Sequence, residues 1–143
     1  METRSPNKAI EKLETGIPGF DLITLGGLPK GRTTLVAGTA GSAKTVMAAQ
    51  FLAEEIKAGK GSGVFVTFEE SPKDIRNNMI SLGWDIRAWE EEGRWAFVDA
   101  SLQPDHEEIV SGPFDFSALL ARLEHAIQRI GAQRVAMDSL GAV

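Results

Sequence analysis

Apolar residues along the chain change period several times, and each change marks an element. Thr33-Thr34-Leu35-Val36-Ala37 reads as a strand, and the stretch from Val46 to Ala58, with Ala49, Leu52 and Ile56 at helical spacing, reads as a helix. Gly59 is placed to close it. Gly63-Val64-Phe65-Val66-Thr67-Phe68-Glu69-Glu70 is a nearly continuous apolar run ending in two carboxylates, the pattern of a strand covered on both faces.

Ser71-Pro72-Lys73-Asp74 then carries a cap, a first-turn proline and an acid three residues on, so a helix is expected with Ile75, Met79 and Leu82 on one face and Gly83 at its end. A second short helix is expected from Asp85 to Glu92, with Trp89 inward. Trp95 to Asp99 forms the third strand. Leu119, Leu123, Ile127 and Ile130 mark an amphipathic helix begun by Asp115 or Ser117 and ended by Gly131. Arg134 to Ser139 is the fourth strand, with Asp138 near its carboxyl end.

Strands alternating with helices predict an α/β fold built on a mostly parallel sheet with helices on both faces. The glycines and prolines between Thr15 and Arg32 predict tight turns that deliver the chain to the first strand, and residues 1–11 a loose tail. Residues 100–114 read as a polar loop. Four parallel strands would leave a long exposed edge, so residues 12–143 are expected to be the N-terminal part of a domain in a longer protein.

The junction of the first strand and helix supplies chemistry. Gly38-Thr39-Ala40-Gly41-Ser42-Ala43-Lys44-Thr45 fits a phosphate-binding loop at every fixed position but one, where Ala43 replaces glycine. In such a loop backbone N–H groups cradle phosphate oxygens, the lysine reaches the outer phosphates and the hydroxyl ligates magnesium. If Ala43 takes helical dihedrals its methyl is harmless; if it needs positive φ it costs about 1 to 2 kcal/mol.

Asp138 fits the second acid of such a site, opposite Thr45 on magnesium. Glu69 and Glu70 end a strand on the side where ligands of open parallel sheets bind, so one of them is expected to orient or deprotonate the attacking water, with Glu69 slightly preferred. Strand alternation would put the two on opposite faces. Solvated charges at the start of the Ser71 helix are the plainer alternative. His106 and His125 lack partners at metal-ligand spacing, and the three tryptophans read as core.

Composition changes this picture little. The 143 residues, 43% hydrophobic and 24% charged, suit one soluble domain, and with no apolar run long enough for a membrane span the expected location is cytoplasmic. No cysteine is present for disulfides or thiolate metal sites. A net charge of −5 disfavours nucleic acid as a partner.

Several further stretches resemble one family in particular. Gly16-x-x-Gly19-Phe20-Asp21, Gly26-Gly27-Leu28-Pro29-x-Gly31-Arg32, Phe65 to Pro72, Gly83-Trp84, Val98 to Ser101, Phe116 to Leu119 and Arg134-Val135-x-x-Asp138-Ser139 resemble the first ATPase domain of the KaiC circadian-clock ATPases of the RecA superfamily. The resemblance implies a RecA-like P-loop NTPase that binds ATP and Mg2+ at the subunit interfaces of a homo-hexamer. It implies slow hydrolysis in this domain, serine/threonine autokinase activity in a second, and a KaiB-like or other signalling protein as partner. By position it implies Gly41, Ser42, Ala43, Lys44, Thr45, Val46 and Ser81 as nucleotide contacts, Thr45 and Asp138 on the metal, and Lys44, Glu69 and Glu70 in catalysis. A nucleotide-gated assembly scaffold with little hydrolysis is the alternative, resting on Ala43, and a DNA recombinase or helicase of the same superfamily is disfavoured by the acidic balance.

Overall fold

The structure, a computed structural model, describes residues 10–39, 43–101 and 116–138. The predicted tail, the 102–114 loop, His106, Gly41, Ser42, Asp115 and Ser139 lie wholly or mainly outside them. Element order is β1 (Lys12–Leu13), α1 (Phe20–Ile23), β2 (Leu28–Pro29), α2 (Lys44–Lys57), β3 (Gly63–Thr67), α3 (Pro72–Ile80), α4 (Ile86–Glu91), β4 (Trp95–Asp99), α5 (Phe116–Ile130) and β5 (Arg134–Asp138). β3, β4 and β5 form a parallel sheet in the order β4-β3-β5, with Thr67 level with both Asp99 and Asp138. β1 and β2 pair antiparallel, Leu13 opposite Leu28.

Every residue of β3 is buried, as its nearly continuous apolar run requires of a central strand with a helix layer on each face. On one face Phe65, Trp95 and Ala136 pack against Ala49, Leu52 and Ile56 of α2, Ile75 and Met79 of α3 and Ile86 of α4. On the other, Val64, Val66, Ala96 and Val98 pack against Leu119, Leu123 and Ala126 of α5. The tryptophans are core, as expected: Trp95 stacks on Phe65 with ring centroids 5.8 Å apart and on Trp89 at 6.0 Å, and Trp84 is buried.

Helix ends follow the sequence signals. The Ser71 hydroxyl accepts from the Asp74 N–H at 3.1 Å with Pro72 at the first position of α3, and Asp85 caps α4 through the Ala88 N–H. Gly59 follows α2 at φ 71°, a left-handed conformation glycine adopts without penalty.

Two expectations fail. Thr33 to Ala37 is not a strand: it joins no ladder, Leu35 is 79% exposed and Val36 43%. An apolar run becomes a central strand by being paired on both edges; among the described residues the sheet has two unpaired edges, those of β4 and β5, and no strand beyond either to enclose it. Glu69 and Glu70, in turn, do not continue β3. The strand ends at Thr67 and residues 68–70 bend, held by the Thr67 hydroxyl, which donates to the Glu70 carbonyl. Pleat alternation therefore does not separate the two carboxylates. The bend does.

Candidate active site

α2 begins at Lys44, and its first intrahelical bond runs from the Met47 N–H to the Ala43 carbonyl at 3.0 Å. The N–H groups of the first turn precede that bond, and Ala43 at the cap position has no side chain that could accept from them. First-turn donors at the positive end of a 14-residue helix are suited to an anion. The junction residue Ala43 sits at φ 64°, ψ 29°, in the left-handed region. The second alternative raised by the sequence therefore holds, and the methyl carries the strain that glycine at this position would avoid.

Lys44 donates from Nζ to the carbonyls of Gly38 at 2.7 Å and Thr39 at 2.9 Å, drawing the two arms of the loop together. One residue on, the Thr45 hydroxyl donates to Asp138 Oδ2 at 2.7 Å. This bond joins the start of α2 to the carboxyl end of β5. Both atoms are hard oxygen donors, the type magnesium takes, and the pair fits that ion.

The β3 exit is drawn to the same place by the Phe68 N–H, which donates to the Asp138 carbonyl at 2.9 Å. Glu70 is thereby partly buried while Glu69 stays exposed. Burial pushes the Glu70 carboxyl up, and the carboxylates of Asp138, Asp74 and Glu69 add to the rise. Glu70 thus feels the charge of Asp138, whereas the sequence slightly preferred Glu69 for the catalytic role.

Ser81 is not brought to this cluster. It closes the far end of α3, about 13 Å along the helix from its start, with its hydroxyl donating to Asn78. Val46 lies in the first turn of α2.

The role of Arg134 was not legible as such in the sequence. Although 5% exposed, it donates from Nη1 to the carbonyls of Glu14 at 2.8 Å and Phe51 at 2.7 Å, pairs with Glu55 at 3.2 Å and lies over the Phe51 ring at 4.4 Å. Burial lowers its basicity and the carboxylates of Glu55, Glu54, Asp21 and Glu14 oppose that. β5 is thus tied to α2 at both ends, by Arg134 at one and Asp138 at the other. A cation opening an otherwise apolar strand was the only available signal.

The turn before α1 is tied to the same frame. Asp21 accepts from the Thr15 N–H and hydroxyl and the Gly16 N–H, and Gln50 of α2 donates to the Gly16 carbonyl at 2.9 Å.

Comparison with known proteins decides which family uses this arrangement. Residues 13–143 match the family described as "ATPase: KaiC". The chain belongs to the KaiC ATPase family. It is 63% identical over 134 residues to the circadian clock protein KaiC3 of a Synechocystis species, covering 94% of this chain and 26% of that protein. It is 50% identical over 142 residues to the circadian clock oscillator protein KaiC of Rippkaea orientalis, covering 99% of this chain and 27% of the relative. To the KaiC of Synechococcus elongatus it is 48% identical over 147 residues, with 99% and 28% covered. The chain spans about a quarter of the length of the curated relatives it matches. The KaiC assignment agrees with the α/β P-loop architecture, parallel sheet and two helix layers described above. No helix among the described residues is long and apolar enough to cross a membrane.

Proposed function

We propose that this KaiC-family chain binds ATP at the start of α2 and hydrolyses it slowly with Mg2+. The observation that carries the reading is the 2.7 Å contact between Thr45 and Asp138 at the N-terminus of α2. The first-turn N–H groups of α2, with Gly41, Ser42, Ala43 and Val46, hold phosphate oxygens, and Lys44 leaves its loop carbonyls to meet the outer phosphates. Thr45 and Asp138 would hold magnesium, which would supply neutralisation of the charge developing on the phosphoryl group. Glu70 accepts a proton from the attacking water or orients it, with Glu69 beside it at the solvent edge.

Membership of the family supports a reading of the wider protein. Residues 12–143 are the N-terminal part of its first ATPase domain, and the full-length protein assembles as a cytoplasmic hexamer with serine/threonine autokinase activity and a KaiB-like or other signalling partner. Ser81, remote from this site, is assigned to a nucleotide held at a subunit boundary.

The test is phosphate release by the intact protein carrying Glu69→Gln with Glu70→Gln. Retained Mg-ATP binding with turnover lost supports the reading; unchanged turnover contradicts it. A second reading, a nucleotide-gated scaffold with little hydrolysis, is favoured by one observation, the left-handed backbone of Ala43. It predicts ATP-dependent assembly without phosphate release.

A further inference from the structure

β4 is an outer strand of the parallel sheet. Its bonds to β3 use the Arg94 carbonyl and the Ala100 N–H at the two ends, and in a parallel ladder every second residue between them faces the same way. The backbone groups of Trp95, Phe97 and Asp99 therefore point outward. One of these outward groups is satisfied: the Asp99 carbonyl accepts from Arg122 Nη2 of α5 at 2.9 Å.

That bond shows where α5 lies. Its buried stripe, Leu119, Leu123 and Ala126, covers the sheet, and Arg122, His125 and Arg129 follow one another at helical spacing along the flank that overhangs the β4 edge. With Phe97, Val98, Ala121 and Ala126 these three residues line a groove of about 360 Å³. Its floor is apolar and its rim is basic. Among the described residues neither arginine is paired with a carboxylate, and the Asp99 carboxylate at the end of the groove is turned onto the N–H and hydroxyl of Ser101.

We propose that the edge of β4, unpaired among the described residues and overhung by Arg122, His125 and Arg129, docks an extended acidic segment of a partner protein as an added strand. An open edge offers main-chain donors and acceptors that a strand satisfies along its length, and an overhanging row of side chains selects alternate residues of it. From Arg122 to Arg129 the row spans about 10 Å along the helix, the reach of two or three alternate positions of a strand that rises about 3.3 Å per residue. Acidic side chains at those positions meet the arginines, and apolar ones between them meet Phe97. The charge selects the partner, because on a chain of net charge −5 a basic row without a carboxylate partner among the described residues is the local exception. Nucleic acid fits less well, since a phosphate backbone leaves the strand N–H and carbonyl groups without a ladder.

The experiment is fluorescence anisotropy with the intact protein and a labelled seven-residue peptide alternating glutamate with valine. Controls are the same peptide with lysine for glutamate and with proline at its centre. Binding is expected for the acidic peptide, absent for the lysine one, and weakened about tenfold or more both by the central proline and by Arg122→Glu with Arg129→Glu. In the unmodified protein it weakens as salt is raised, a readout independent of the variants' folding. Acidic-peptide binding indifferent to the proline or to the charge reversal overturns the proposal. So does self-association that the reversal abolishes while the peptide fails to bind, which would make this face a contact between copies.

Discussion

Thr45 and Asp138 stand 93 residues apart in the chain and 2.7 Å apart in space. The bond is the point where the phosphate-loop helix and the last described strand converge, and it places both proposed magnesium ligands on rigid elements. Replacing either should weaken the metal site without unfolding the core, because both residues lie at element ends. Thr45→Ala and Asp138→Asn are each expected to raise the magnesium needed for half-maximal ATP binding by roughly 10- to 100-fold. Thr45→Ser, which keeps the hydroxyl, should recover most of it. A magnesium titration of fluorescent ATP-analogue binding checks all three.

Ala43 holds a left-handed backbone that glycine adopts freely. Ala43→Gly is therefore expected to raise stability to urea by about 1 kcal/mol. Because the strain is already present in the folded loop, the rate of phosphate release should change by less than about fivefold, the ratio that 1 kcal/mol represents. A rise of a hundredfold would instead favour the scaffold reading.

Arg134 joins β5 to α2 and to the β1 side of the chain with its charge buried. Arg134→Met leaves two carbonyls and Glu55 without their donor and should cost about 3 kcal/mol in urea unfolding. Arg134→Lys retains the charge and should cost less. Equal losses would mean that charge is irrelevant and only the fork of donors counts.

Asp21 gives a pH signature. Burial pushes its carboxyl up, but hydrogen bonds from Thr15 and Gly16 and the charge of Arg134 outweigh this and hold it below its ordinary value. A depressed folded value means that the stabilisation is fully present above the unfolded value, near 3.9, and is lost as pH falls through the folded one. Asp21→Asn should therefore lower the unfolding midpoint at pH 7, and the gap to the unmodified protein should close below about pH 4. A gap that is constant with pH would assign the effect to shape alone.

Much of this was legible in the sequence because local signals and tertiary packing agree. The run Val64 to Val66 is apolar at every position and buried at every position. Ser71 and Pro72 specify a helix start that the structure uses, and Trp95 packs where an aromatic in a strand would. The segment from Thr33 to Ala37 has a similarly strand-like pattern and misled, since pattern records what a strand would bury but not whether a neighbour exists on each side. The glutamate pair misled for a related reason. The side-chain bond from Thr67 ends the strand before Glu69, and hydropathy carries no trace of such a bond. Arg134 was hidden because a buried cation is readable only once its carbonyl and carboxylate partners, drawn from residues as distant as Glu14, are in place.

The most direct test of the account is the rate of phosphate release from Mg-ATP by the intact protein, measured beside Lys44→Ala. Slow, magnesium-dependent release that falls to background in Lys44→Ala is the predicted result. ATP-dependent assembly with release no faster than that of Lys44→Ala would contradict it.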